Sequence, residues 1–146
     1  MQIKLFKQLT SSEATKNHPN LSDKIKILWH EDYYDGPVSG YVTLNGNEGY
    51  YVSCMATEWP AEHCDRRLYL VFRLDTAQTS HVKQEHSLFQ EFVGTHTDYD
   101  SNGRRTGSVK PEENWSKFYD RVRPDIHPLT DSQIVGWTTT LFKNEW

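Results

Sequence analysis

Cysteine is scarce in this chain, which has two cysteines in 146 residues, Cys54 and Cys64. They do not form the Cys-x-x-Cys spacing of zinc ribbons and thiol oxidoreductases, and two cysteines are too few for a disulfide scaffold. The N-terminal stretch MQIKLFKQLT also lacks the long apolar core of an export signal. We therefore expect reduced thiols and a cytoplasmic location.

Long apolar runs and a dominant sign of charge are missing as well. No stretch approaches the ~20 apolar residues of a membrane span. The net charge is −4, with acids and bases interspersed, whereas nucleic-acid-binding domains usually present a basic face. The glycines form neither a phosphate-binding loop nor a G-x-S-x-G elbow. These absences argue against a membrane protein, a nucleic-acid partner, a nucleotide-binding enzyme and a serine hydrolase.

Aromatic residues are plentiful at 13%, while hydrophobic residues as a whole reach 36%. Because a buried ring removes ~150–250 Å² from water, a few aromatics can supply one modest core. A chain of 146 residues fits one domain of that kind, and we expect residues 1–146 to form a single domain.

Period-two alternation of apolar residues predicts strands. The predicted strands are Met1–Leu9, Lys24–Trp29, Val38–Leu44, Tyr50–Met55 and Arg67–Leu74. In the second of them Ile25, Ile27 and Trp29 are expected on one face. Asn45-Gly46 favours a type I′ hairpin turn. Arg67–Leu74 is apolar on one face and partly apolar on the other, which indicates a central, covered strand.

Helical spacing follows. Apolar residues from Val82 to Val93 recur every three to four positions, and Gly94 occupies a helix C′ position. A second helix is predicted over Pro111–Val122, with Pro111 at its first position and Trp115, Phe118, Tyr119 and Val122 as its apolar stripe.

The segment 133–142 is ambiguous between helix and strand. Thr130 to Gln133 could form a capping box before a helix, whereas Gly136 and three consecutive threonines favour a strand. We predict a strand with Val135, Trp137, Thr139 and Leu141 on one face. Strands followed by helices indicate an α+β fold: a mainly antiparallel sheet of about five or six strands, with two helices packed on one face.

One candidate site resembles the start of an EF-hand calcium loop, which places oxygen ligands at loop positions 1, 3 and 5. Asp98, Asp100 and Asn102 occupy these positions and Gly103 occupies position 6, but position 12 is Val109 where the bidentate Glu belongs. A two-stranded ribbon that turns at Asn102-Gly103 explains the same residues without calcium, and we favour it.

A second candidate metal site combines imidazole and carboxylate groups. His30 precedes the acids of the segment 31–35, and His96 and Asp98 could join them. Such ligands suit zinc and would allow a metal-dependent hydrolase or another small enzyme. The spacing matches no metal motif, so no cofactor is expected and a divalent metal, calcium or zinc, is the alternative.

The same segment suggests an interaction surface. It reads Glu31, Asp32, Tyr33, Tyr34 and Asp35, and tyrosine is favoured at interface hot spots while acids steer basic partners. The leading hypothesis is a small binding protein, inhibitor- or immunity-like, whose partner is another protein, possibly a basic one.

Overall fold

The fold is α+β, with a five-stranded antiparallel sheet and helices. A computed structural model describes residues 11–34, 36–55, 67–123 and 128–139, so the predicted strand Met1–Leu9 and Cys64 lie outside the described residues. The strands are β1 Ile25–His30, β2 Ser39–Leu44, β3 Asn47–Cys54, β4 Tyr69–Arg73 and β5 Ile134–Thr138, in that order across the sheet. The helices are α1 Ser11–Asn17, α2 Thr76–Phe92 and α3 Ser116–Tyr119, with 3₁₀ turns at Glu112–Asn114 and Asp131–Gln133.

The hairpin of β2 and β3 turns at the predicted residues. Asn45 has φ +52° and Gly46 has φ +82°, the positive angles that a type I′ turn requires. The predicted hairpin is therefore confirmed.

Strand β4 is covered on both faces, as predicted. Leu70 and Phe72 belong to one core cluster, which also contains Ala14 of α1 and Val82 of α2. Tyr69 and Val71 belong to a second cluster on the other face. Helices α1 and α2 thus pack on the same face of the sheet.

Helix α2 begins and ends at local signals. The Asp75 carboxylate accepts from the Gln78 backbone N–H at 2.7 Å, and the Gln78 side chain accepts from the Asp75 N–H at 3.0 Å, which is a reciprocal capping box. Gly94 follows the helix with φ +146°, so the predicted C-terminus is confirmed.

Two β-bulges change the predicted side-chain directions. In β1 the register shifts between Ile27 and Trp29. Ile27 stays in the second cluster while Leu28 and Trp29 both pack against the first, so the prediction that Trp29 faces the same way as Ile27 is wrong. An extra residue in one strand reverses the alternation beyond it.

The strand prediction for the C-terminal segment is confirmed for the described part, where β5 runs Ile134–Thr138. The capping box also forms, but it encloses a single 3₁₀ turn, with Thr130 N–H donating to the Gln133 side chain at 3.0 Å. A register shift opposite Val71 and Phe72 places Val135 and Trp137 against different clusters, so their predicted common face is wrong.

The predicted helix Pro111–Val122 is wrong in length. The structure has a 3₁₀ turn and then a four-residue helix, α3. Phe118 is buried, whereas Tyr119 is 53% exposed and Val122 is 97% exposed. Val122 lies beyond the end of this one-turn helix, and Tyr119 is its last residue, so Phe118 is the position of the predicted stripe that is buried.

The connection between α2 and α3 is a two-stranded ribbon that turns at Asn102-Gly103, as predicted. The Thr95 N–H donates to Ser108 O at 2.8 Å, and Tyr99 forms an antiparallel backbone β-bridge with Arg105 across the turn. The ribbon's first arm pairs with the outer edge of β1, where His30 N–H donates to Thr97 O at 3.1 Å. This pairing brings the ribbon beside the segment that follows β1.

Candidate functional site

The segment from Glu31 to Pro37, here called the tyrosine loop, closes on itself between β1 and β2. The Val38 N–H donates to Asp32 O at 2.8 Å, and the Tyr34 N–H donates to Gly36 O at 2.9 Å. Such internal backbone bonds satisfy groups that would otherwise need water, so the loop has a defined shape. Asp35 lies outside the described residues.

Arg67, two residues before β4, and Tyr69, the first residue of β4, fasten the loop backbone. The Arg67 guanidinium donates to Gly36 O at 2.9 Å, to Pro37 O at 3.0 Å, and to Tyr34 O. The Tyr69 hydroxyl donates to Pro37 O at 2.7 Å. A guanidinium presents donors in a fixed fork, which suits it to several carbonyls of one turn.

The loop directs its tyrosines outward. Tyr33 is 46% exposed and Tyr34 is 77% exposed. The Tyr33 ring contacts the His30 ring, with centroids 5.0 Å apart, and the Arg105 guanidinium lies 5.2 Å from the Tyr33 ring centroid. The fastened loop thus presents aromatic area at the surface beside a cation.

The loop's first two acids turn toward the protein. Glu31 accepts from the Tyr51 hydroxyl at 2.9 Å. Burial raises the Glu31 pKa to about 7, and the Tyr51 hydrogen bond opposes that rise less strongly. The nearby Trp29 N–H also favours the charged form, although it makes no hydrogen bond of good geometry.

Asp32 has a local partner. Its carboxylate accepts from the Ser39 hydroxyl at 3.2 Å, and the same hydroxyl accepts from the Asp32 backbone N–H at 3.2 Å. This exchange joins the first residue of β2 to the loop. Asp32 therefore contributes to the loop's shape as well as to its charge.

The residues of the predicted zinc site are engaged with other partners. His30 Nδ1 lies 3.0 Å from the Tyr99 hydroxyl, and burial together with Arg105 lowers the His30 pKa to about 4. Asp98 accepts from His86 Nε2 and from the Gln90 amide, each at 2.7 Å. Both carboxylate oxygens of Asp98 are thus used within the fold.

His96 stands apart from these pairs. It is half-buried, its ring lies 5.6 Å from the Phe89 ring, and its Nδ1 is buried without a hydrogen-bond partner in the described residues. Burial, then Arg105, lowers its pKa.

The predicted calcium ligands form a turn. Asp100 Oδ1 accepts from the backbone N–H of Asn102 at 2.8 Å and of Arg104 at 3.1 Å, which is how an Asx turn is held. Asp98 instead bonds α2, and the Asn102 side chain is exposed. Within the described ranges no group of three or more His, Cys, Asp or Glu side chains could hold a metal ion, and metal binding stays a prediction.

A groove of about 620 Å³ lies at the opposite end of the sheet, between the Asn45-Gly46 hairpin and the start of α2. Tyr41 lies at this groove and an ion pair between Lys83 and Glu48, 3.2 Å apart, contributes to its wall. None of the described tyrosine-loop residues lines it. The groove and the loop are separate features.

The residues of the tyrosine loop are evident from the sequence, whereas the residues that hold its backbone and its first acid in place are not. Arg67 and Tyr69 are thirty or more positions from the loop carbonyls that they bond, and Tyr51 is twenty positions from Glu31. Their roles follow from the order of strands in the antiparallel sheet. That order places the last residues of β1 and β3 beside the first residues of β2 and β4, at one end of the sheet. No local pattern carries that information.

No family model, curated protein or solved structure matches the chain. Among helices in the described ranges, none has the length and apolar character needed to cross a bilayer. Function must therefore be argued from the geometry of the loop and its surroundings.

Proposed function

We propose that this chain is a small cytosolic binding protein that engages another protein through the tyrosine loop. The observation that carries the proposal is the combination of two features. The loop backbone is fastened by Arg67 and Tyr69, and the side chains of Tyr33 and Tyr34 are nevertheless exposed.

This combination favours binding because of its entropic consequence. Ordering a loop on association costs free energy, and a loop that is already fixed avoids much of that cost. Tyrosine adds a large contact area with few rotatable bonds, which is why it is enriched at hot spots. A fixed, tyrosine-bearing loop is also what an inhibitor- or immunity-like protein would present to its target.

The test is capture of partners by the immobilised full chain from an extract of its own cell, with quantitative mass spectrometry as the readout. The test variant is Tyr33→Ala/Tyr34→Ala. The matched control is Tyr119→Ala/Val122→Ala, which removes exposed apolar area from the α3 region. We expect at least one protein captured by the wild type and the control to be depleted tenfold or more by the loop variant.

Thermal unfolding of both variants establishes that each is folded. A captured set that is the same for wild type, loop variant and control would contradict the proposal. Recombinant binding of a depleted protein, measured by calorimetry, then separates direct from indirect capture.

A further inference from the structure

The ribbon, residues 95–110, extends the sheet beyond β1. Its first arm pairs with β1, where the Tyr99 N–H donates to Leu28 O at 3.0 Å. Its second arm, residues 104–110, is joined to the first by β-bridges. Every residue of the second arm is exposed to solvent. The second arm is therefore an edge that no described segment covers.

The opposite edge of the sheet is closed. The Leu21 N–H donates to Trp137 O of β5 at 2.7 Å, and the Trp137 N–H donates to Pro19 O at 3.0 Å. These bonds occupy backbone groups that β5 would otherwise present to another strand. An open edge, in contrast, offers unpaired N–H and C=O groups as a template for pairing with another chain. Within the described ranges, the second arm of the ribbon is such an edge.

Val109 shows where the open backbone groups lie. On one side of it, Ser108 O accepts from the Thr95 N–H at 2.8 Å. On the other side, the Lys110 N–H donates to Val93 O at 2.8 Å. Because adjacent residues of an extended chain direct their backbone groups to opposite sides, the Val109 N–H and C=O face away from the ribbon. Neither group has a hydrogen-bond partner among the described residues.

The side chain of Val109 is open as well, at 53% exposed. The residue bridged to it across the ribbon is Gly94, which has no side chain. An apolar side chain of an added strand would find an apolar neighbour there, and such cross-strand pairs stabilise sheets. The second arm also reaches the tyrosine loop, because Arg105 lies 5.2 Å from the Tyr33 ring centroid.

We infer that the protein partner adds an extended segment, as a further strand of the sheet, along the second arm of the ribbon and beside the tyrosine loop. The inference rests on the proposed function, since it takes the partner to be a protein. In strand addition, backbone hydrogen bonds supply the affinity and alternate side chains supply the specificity. An extended backbone is the occupant that matches the open groups of Val109.

A second copy of this chain fits the edge less well. If two second arms paired antiparallel about Gly107, Arg104 of each copy would lie opposite Lys110 of the other, because both residues are three positions from Gly107. Like charges directly opposite each other destabilise a strand pair. Charged edges are also a common protection against self-association. A segment of another protein need not meet this repulsion.

The test begins with a random 16-residue peptide library displayed on phage and selected against the immobilised full chain. Selected peptides are synthesised, and their binding is measured by fluorescence polarisation. Each peptide is also made with a single N-methyl group at successive backbone nitrogens. In an added strand every second N–H faces the ribbon. We therefore expect alternate N-methyl groups to weaken binding about tenfold or more, and the others less than about threefold.

Protein variants locate the added strand. Val109→Pro removes the N–H that faces away from the ribbon and should weaken binding about tenfold or more. The matched control Val109→Thr keeps this N–H and the β-branched shape, and should retain binding within about threefold. Hydrogen exchange of the Thr95 N–H, which is bonded to Ser108 O, reports whether the ribbon survives the proline. If it does not, the wild-type Val109 amide is followed instead, and bound peptide should slow its exchange about tenfold or more.

The outcomes separate the two proposals. Peptides that Tyr33→Ala/Tyr34→Ala weakens, but that show no alternating N-methyl effect and no dependence on Val109, would overturn the inference and leave the proposed function standing. Peptides that depend on Val109 and alternate, but are insensitive to the loop variant, would support strand addition and count against the tyrosine loop. A dimer in sedimentation velocity that Val109→Pro dissociates would assign the edge to a second copy. That result, or a selection without any alternating peptide, would overturn the inference.

Discussion

His30 and Glu31 are consecutive residues whose side chains meet tyrosine hydroxyls from different core clusters, His30 that of Tyr99 and Glu31 that of Tyr51. Burial favours the neutral form of each. It lowers the His30 pKa from 6.5 to about 4 and raises the Glu31 pKa from 4.5 to about 7. Their contributions to stability therefore have opposite pH dependences.

Replacing Glu31 with Gln should make the protein relatively more stable as pH rises. A raised folded-state pKa means that the folded chain holds the proton longer than the unfolded chain, so the Glu31 contribution is present below pH 4.5 and is lost by pH 7. At ~1.4 kcal/mol per pKa unit, the difference in unfolding free energy between variant and wild type should grow by up to about 3 kcal/mol across this window. Urea unfolding at pH 4.5 to 8 measures it.

Glu91→Gln is the control for this experiment, because Glu91 is exposed. A Glu31→Gln difference that stayed constant with pH would show that the Glu31 carboxyl titrates as it does in the unfolded chain.

Replacing His30 with Asn should produce the reverse trend. The folded-state pKa of His30 lies below its unfolded value, so its contribution is present above pH 6.5 and is lost as pH falls toward 4. Asn keeps a polar atom for Tyr99 but does not titrate. Relative to wild type, the variant should gain up to about 3 kcal/mol of unfolding free energy as pH falls through this window. Urea unfolding measures both free energies, and a difference between them that does not change with pH would contradict the prediction.

Replacing Arg67 with Lys should loosen the tyrosine loop while keeping the charge. An ammonium group cannot reproduce the guanidinium fork that holds Tyr34, Gly36 and Pro37. The loss of one or two hydrogen bonds should cost about 1–3 kcal/mol of unfolding free energy. Hydrogen exchange should be faster in peptides that cover residues 32–39, and Arg73→Lys, an exposed position in β4, should leave that exchange unchanged.

Phe118 and Val122 should respond differently to alanine. Phe118 is 3% exposed and meets the Phe89 ring edge-on, while Val122 is 97% exposed. Phe118→Ala should cost about 3–5 kcal/mol of unfolding free energy, and Val122→Ala should change it by less than about 0.5 kcal/mol. If urea unfolding showed similar losses of unfolding free energy for the two variants, Val122 would be packed as the longer predicted helix requires.

Adding calcium or zinc should raise the melting temperature by less than about 1 °C. Ligand binding to the folded state stabilises it, but Asp98 and Asp100 already accept hydrogen bonds from the protein. Differential scanning fluorimetry of chelator-treated protein with each ion checks this. A dose-dependent rise in melting temperature that Asp98→Asn abolishes would contradict this expectation and would support a metal site at Asp98.

The elements that the sequence predicts well depend on neighbouring residues. The Asn45-Gly46 turn, the apolar faces of β4 and the end of α2 at Gly94 follow from local patterns. The capping box of Asp75 and Gln78 is equally local, because its two residues are three positions apart.

The elements that it predicts badly depend on the sheet as a whole. Bulges in β1 and β5 are set by the partner strand, and alternation read along one strand cannot detect them. The tyrosine loop shows the same limit. Its residues are evident from composition, but the inward direction of Glu31 depends on the distant Tyr51.

The order of strands has a consequence for how the chain folds. β2 and β3 are joined by two residues, whereas about 60 residues separate β4 from its partner β5. Loop-closure entropy grows as (3/2)RT ln n, so the second pairing costs about 3 kcal/mol more to initiate than the first. The hairpin is thus suited to nucleate the sheet, and β5 is expected to dock late, after α2 and the ribbon have shortened the path back to β4.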